Sequence, residues 1–282
     1  MKFESLQSFF SKTGASVASL MKVALLSKGA SAASDMGKNR ELVILGNGPS
    51  LRNTIDNGID ALLARDLMAV NFAALAPEFI TLRPRFYMLA DGHFFNSLSS
   101  DKNVKRLWES FTTISWEMTL LVPVKYRHLV KPLLMHASTV KVRYFNLTPV
   151  EGFQWLKNII FKAGLGMPRP RNVMIPAIME GIRLGYSKIY LCGADHTWTR
   201  TLSVDDDNFV VSVQPHFYKD NDEEHKRVRE TYKGLHLHDV LGSMTVAFRS
   251  YWEIDAYARH RKIEIINATP GSMIDAFTRA TF

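Results

Sequence analysis

In the 282-residue chain, five short apolar runs each lead into a polar side chain able to hold a ligand. Leu42–Leu45 leads to Asn47, Leu67–Val70 to Asn71, Phe86–Leu89 to Asp91, Ile189–Cys192 to Asp195 and Ile263–Ile266 to Asn267. An amide both donates and accepts hydrogen bonds, and a carboxylate accepts them from hydroxyls and amines. Asn and Asp also favour turns for local reasons, so each residue alone says little. As a set at the ends of like runs they mark one edge, the edge where open α/β sheets bind ligands.

Three stretches carry more. Gly46-Asn47-Gly48-Pro49-Ser50-Leu51 joins one apolar run to helical spacing at Leu51, Ile55, Ile59 and Leu62. A glycine turn there lets a phosphate approach the N–H groups of a helix N-terminus, with Ser50 as N-cap. It lacks the third glycine of a dinucleotide fingerprint and the Gly-Lys-Ser/Thr of a Walker loop. Gly193-Ala194-Asp195 puts a carboxylate at the tip of a buried strand, for a sugar or a base. Thr197 and Trp198 follow in the same loop, and Trp198 offers a stacking face. Asn267–Phe277 reads as a polar turn and a short helix from about Ser272, whose free N–H groups would face the same crevice.

The elements that must position these residues are legible. Residues 173–184 have helical apolar spacing, and Gly185 stands where a C-terminal cap is expected. Residues 240–260 predict a long helix with Leu241, Met244, Phe248, Tyr251 and Ile254 at apolar positions. Met118–Val122 and Val140–Phe145 add two strands. Strands alternating with helices through short turns predict an α/β fold: a Rossmann-like, mainly parallel sheet with flanking helices over 39–282, and a lid at about 196–240.

Composition sets the outer limits. Hydrophobic residues make up 46% and charged residues 22%, so the chain is globular. The single cysteine, Cys192, excludes an intramolecular disulfide and a cysteine zinc site. The net charge of +8 suits nucleic acid, an anionic membrane or a phosphorylated small molecule. Nucleic acid is the poorest fit, since the cations are dispersed and no aromatic-basic motif is present. Residues 1–38 are rich in Ser, Ala and Lys and carry part of the excess. Their apolar patches are too short to span a bilayer. Two readings stay open: an amphipathic helix on a membrane or partner, and a poorly ordered arm.

His216, His225, His236 and His238 lie in the 196–240 segment. An imidazole there could take a proton near neutral pH. Asp205-Asp206-Asp207 reads as a solvated loop rather than a metal site, because adjacent carboxylates repel. Asp220–Glu224 beside Lys226, Arg227 and Arg229 reads as a surface helix.

The Gly-Asn-Gly-Pro-Ser-Leu turn, Asn71 after the second strand, and Leu184-Gly185-Tyr186-x-x-Ile189-Tyr190-Leu191-x-Gly193-x-Asp195 resemble the bacterial sialyltransferases of glycosyltransferase family 42. They also resemble the broader group around Maf-type flagellin glycosyltransferases and 6-hydroxymethylpterin pyrophosphokinases. The resemblance covers roughly 41–277, with close matches in the three stretches alone. It implies an enzyme with a Rossmann-like nucleotide domain and a lid. That enzyme would move a nonulosonic acid from a CMP-sugar to a bacterial surface glycan, inverting the anomeric centre without metal or cofactor.

By position, the resemblance implies that Asn47 and Asn71 touch the nucleotide and that Asp195 sits beside the donor; the strand-end turns themselves add Gly46, Gly48, Ser50, Asp91, Gly193, Thr197, Trp198, Asn267 and Ser272 as candidate nucleotide contacts. Arg171 and Asn172 would hold phosphate or ribose, and His238 or His236 would be the base. The chain departs from the family where two tyrosines should follow the Asp; Arg200, or Tyr218 from the lid, would take their place. Expected partners are a sugar nucleotide, a glycan acceptor, an anionic membrane surface and a second copy of the chain, but no nucleic acid. The expected location is the cytoplasm, peripheral to the inner face of the membrane. Alternatives are an ATP/Mg-dependent pyrophosphokinase and a non-enzymatic basic membrane module.

Overall fold

A computed structural model describes residues 2–211 and 234–282. His216, Tyr218, His225, the 220–229 charge cluster and the middle of the expected lid lie outside the described residues.

The centre is an eight-stranded sheet whose neighbours all pair parallel. In chain order its strands are β1 (Glu41–Leu45), β2 (Asp66–Val70), β3 (Phe86–Met88), β4 (Met118–Pro123), β5 (Val140–Phe145), β6 (Lys188–Cys192), β9 (Glu264–Asn267) and β10 (Thr278–Arg279). In space they run β10-β9-β6-β1-β2-β3-β4-β5. The central strands are continuous apolar runs because helices cover both faces of a parallel sheet. Leu42, Val43 and Ile44 are fully buried, as are Phe86 and Met88.

The helices are α1 (Lys2–Leu26), α2 (Ser50–Leu63), α3 (Glu78–Leu82), α4 (His93–Asn96), α5 (Lys102–Thr112), α6 (Arg127–Leu133), α7 (Gln154–Lys162), α8 (Met174–Arg183) and α9 (Leu237–His260). Helix α8 is buried along its whole length between the sheet and α9. Gly181 lets it lie close to Leu42 and Ile189. Gly185, at φ +93°, closes α8 in the left-handed conformation glycine tolerates.

One expectation changes. No helix starts near Ser272. Instead Thr278–Arg279 pairs with Ile266 and Asn267 as edge strand β10, and Arg279 donates to the carbonyls of Ser272 and Ile274. Long-range pairing overrides the local helical pattern there. At the other end of the chain, a strap follows helix α1. Ser31, Ser34 and Gly37 donate their N–H groups to Tyr144, Arg183 and Leu184. Arg40 and Arg85 then pair with buried Asp66, which Tyr186 also reaches. Burial pushes the Asp66 carboxyl up, but these partners outweigh it and hold it below the usual range.

The described part of 196–240 contains a small antiparallel ribbon, β7 (Ser203–Val204) and β8 (Val210–Val211). Asp205 sits in its turn and accepts from the N–H groups of Asp207 and Phe209.

Candidate functional site

Chain order and spatial order part company at β1. From β1 the sheet grows one way through β2 to β5, then the chain crosses back to lay β6 on the other side of β1. The carboxyl ends of β1 and β6 therefore flank the topological switch point, where sheets of this kind hold ligands. The turns at 46–51 and 193–195 meet there.

They meet closely. Gly46 N donates to Cys192 O at 2.7 Å, and Gly48 N to Gly193 O at 2.8 Å. Asp195 turns its carboxylate onto the start of α2. Its Oδ2 accepts the Ser50 hydroxyl at 2.7 Å and its Oδ1 accepts Ser50 N at 3.3 Å. A Cβ on Gly48 would collide with Asp195 Oδ2 and lie 2.7 Å from Gly193 O. The N–H groups expected to cradle a phosphate are thus engaged by the protein, and a carboxylate already complements the helix dipole. Ser50 is not the N-cap; Pro49 holds that place and Ser50 opens the helix.

Open hydrogen-bonding capacity lies beside this junction. Asn47 donates Nδ2 to Val70 O at 3.3 Å, which leaves its buried Oδ1 without a partner. Asn71, at φ +53°, has a buried, unpaired Oδ1. Asn172 accepts at Oδ1 from Met174 N (3.0 Å) and from Tyr251 OH (2.9 Å), which leaves Nδ2 buried and unpaired. Each such atom costs about 1–3 kcal/mol when nothing satisfies it. Native proteins keep few of them. Here two acceptors and one donor stand unpaired on three amides that the sequence had marked. Asn47 and Asn71 follow adjacent strands, and Asn172 precedes the helix packed on β1.

A residue that sequence reasoning missed completes the site. His196 is buried just after Asp195, at φ +53°, 2.5 Å from Tyr251 OH through Nε2. Tyr251 must give its proton to Asn172 Oδ1, which already accepts from Met174 N. His196 therefore donates Nε2–H to the tyrosine oxygen. Burial pushes the imidazole down to about 3, so it is neutral, and burial also pushes the Tyr251 phenol up. The chain His196–Tyr251–Asn172 aims the free Asn172 Nδ2. A lone loop histidine reads as solvated; the one signal was its place at a strand end, opposite an apolar-stripe tyrosine.

The other marked residues divide. Asn267 and Ser272 are used up internally. Asn267 bridges Ile274 O and Thr269 N, while Ser272 donates to Ala194 O. Ser272 ties the C-terminal loop to the end of β6, and Asn267 braces that loop from within and lines the open cleft beside α2. Asp91 is exposed and accepts from His93 N. His93 itself has both ring nitrogens engaged, by Asp101 and Ser97. Arg171 and Arg200 are exposed cations, and Thr197 is half-buried. Trp198 stacks 4.2 Å from the His196 ring and packs with Val210, Val240 and Met244, so it is as much a wall as a contact.

His236 caps α9 in a reciprocal pair with Asp239. His238 is 81% exposed, 3.4 Å from Asp239. An open cleft of about 510 Å³ between α2 and the C-terminal strand is lined by residues 267–271 among others and touches none of the unpaired amides. Among the described residues, no group of three or more His, Cys, Asp or Glu is placed to hold a metal.

Fold and site together define a parallel α/β domain with unpaired amides beside its switch point. No family model matches the chain, and no curated protein does. Among solved structures, the MAf glycosyltransferase of Magnetospirillum magneticum AMB-1 is similar, with a TM-score of 0.49 at 12% identity. The match covers 96% of this chain and 38% of that one, so the chain spans little more than a third of that protein's length.

Proposed function

We propose that the chain is a sugar-nucleotide glycosyltransferase, with a CMP-nonulosonate as leading donor and a surface glycan as acceptor. The observation that carries this reading is the trio of unpaired amide atoms on Asn47, Asn71 and Asn172. Two free acceptors suit ribose hydroxyls or the exocyclic amine of a base, and one free donor suits a carbonyl, ring nitrogen or phosphate oxygen. Neutral amides suit a nucleotide held without a metal bridge.

In the proposed reaction the acceptor hydroxyl attacks the anomeric carbon from the face opposite the nucleotide, and the configuration inverts. The anomeric C–O bond breaks, CMP leaves with the electron pair, and the hydroxyl proton passes to a base. We assign the base to His238, whose ring is free to meet an acceptor, with Asp239 orienting it. Arg200 is the cation proposed to meet the departing phosphate. A pyrophosphokinase fits less well. Its magnesium would need free carboxylates, while Asp195 is engaged by Ser50.

A thermal-shift panel of CMP, CDP, UDP, GDP and ATP, with and without EDTA, tests the reading. CMP should raise the melting temperature equally in both conditions. A shift by ATP that EDTA abolishes would turn the assignment to phosphoryl transfer.

A further inference from the structure

Helix α1 is turned inside out. Leu6, Phe10, Val17 and Met21 recur at steps of four, seven and four, with Phe9 and Leu20 beside them, so they form one apolar face. An amphipathic helix ordinarily turns such a face to the core. Here these residues are half-exposed or more, and the buried side is Ser16 and Ser19. Those serines are fixed by the backbone. Ser16 Oγ accepts from Phe153 N at 3.0 Å, and Ser19 Oγ bridges Glu151 N and O at 2.8 and 3.0 Å. The orientation is thus set by hydrogen bonds that leave the apolar face outward.

A second element extends the patch. Phe9 meets Phe153 at 5.6 Å, and Phe153 leads into α7, which exposes Trp155 and Ile159 one turn apart. Exposed apolar surface of this extent marks an interaction site. Tryptophan beside lysine and aliphatic residues is the composition of a membrane–water interface.

The charge selects the occupant. Residues 1–28 hold four Lys and one Glu, and Lys12, Lys28 and Lys162 are exposed around the patch. Two copies meeting through this face would set like charges against each other. An anionic surface would not. No described helix is long and apolar enough to cross a membrane. We propose that α1 and the outer face of α7 form a docking surface for an anionic lipid bilayer, with α1 lying in the plane of the interface. Ser19 reaches Glu151, and Glu151 accepts from Arg169 at 2.7 Å. The docked helix is therefore tied to the loop that carries Asn172.

The test is co-sedimentation of the whole chain with phosphatidylcholine vesicles containing about one third phosphatidylglycerol, and with pure phosphatidylcholine vesicles. Binding is expected on the anionic vesicles and at least about tenfold weaker on the neutral ones. Phe10→Glu and Trp155→Glu should each weaken anionic binding about tenfold or more, since each removes a large apolar contact. Met135→Glu, at an exposed apolar residue outside the patch, should not. The melting temperatures should stay unchanged, because the substituted side chains are exposed. Equal binding to both vesicle types, binding that survives Phe10→Glu and Trp155→Glu, or no binding with a dimer that Phe10→Glu dissolves would each overturn the proposal.

Discussion

Replacing Gly48 by alanine should damage the molecule far beyond the loss of one hydrogen atom. The new Cβ would collide with Asp195 Oδ2 and stand 2.7 Å from Gly193 O. Neither neighbour can yield cheaply. Gly193 O belongs to the backbone and accepts from Gly48 N, and Asp195 is held by the Ser50 hydroxyl and N–H. Overpacking costs typically about 1–3 kcal/mol, and weakening a hydrogen bond to a charged group about 1.5–3 kcal/mol more. Partial relaxation leaves a net loss of about 2–4 kcal/mol, or about 3–7 °C in melting temperature for a chain of this size. The assay is paired calorimetry against Gly242→Ala. Gly242 lies inside α9 with open space around its Cβ position. Alanine there should stabilise by up to about 1 kcal/mol. The two substitutions should move the melting temperature in opposite directions. If Gly48→Ala melts with the parent, the β1 and β6 turns do not meet as described.

Further outcomes follow from the buried groups. His196 is held near 3 in the fold and about 6.5 in the unfolded chain, so unfolding takes up a proton below about 6.5. Its contribution to stability is complete above that pH and lost as the pH falls toward 3, by at most about 1.4 kcal/mol per pH unit. His196→Asn, which tolerates the positive φ, should flatten this slope in urea titrations at pH 7 and pH 5; an unchanged slope would place the histidine in solvent. Cys192 is buried and its thiol is pushed up to about 12, so a thiol reagent should label it only after denaturation. Tyr251→Phe breaks the chain from His196 to Asn172 and should cost about 1–3 kcal/mol in stability, measured by urea unfolding.

Much of this was legible in the residues. The central strands appear as apolar runs because both faces of a parallel sheet are covered, and their polar ends mark the carboxyl edge. Asn47 and Asn71 stand out on type and position alone, and Asn172 through the resemblance. The use of Asp195 was not legible, because its partner Ser50 lies 145 residues away in the chain. The same limit hid the pairing of Thr278–Arg279 with β9, where the local pattern suggests a helix. His196 stood behind His236 and His238 in the sequence, since burial cannot be read from one ring in a polar loop. His236, one of two candidate bases, also caps α9; its Asp239 partner, three residues on, was the signal.

The central claim is that the unpaired amides at the switch point receive a nucleotide. Calorimetric titration of CMP into the parent chain and into Asn71→Gly tests it most directly. Glycine removes the buried Oδ1 yet keeps the positive φ, so the fold should persist. CMP should bind the parent with or without EDTA and bind Asn71→Gly about tenfold more weakly or worse, the loss of one hydrogen bond to a buried group. Absence of CMP binding to the parent, or equal affinity for both proteins, would contradict it.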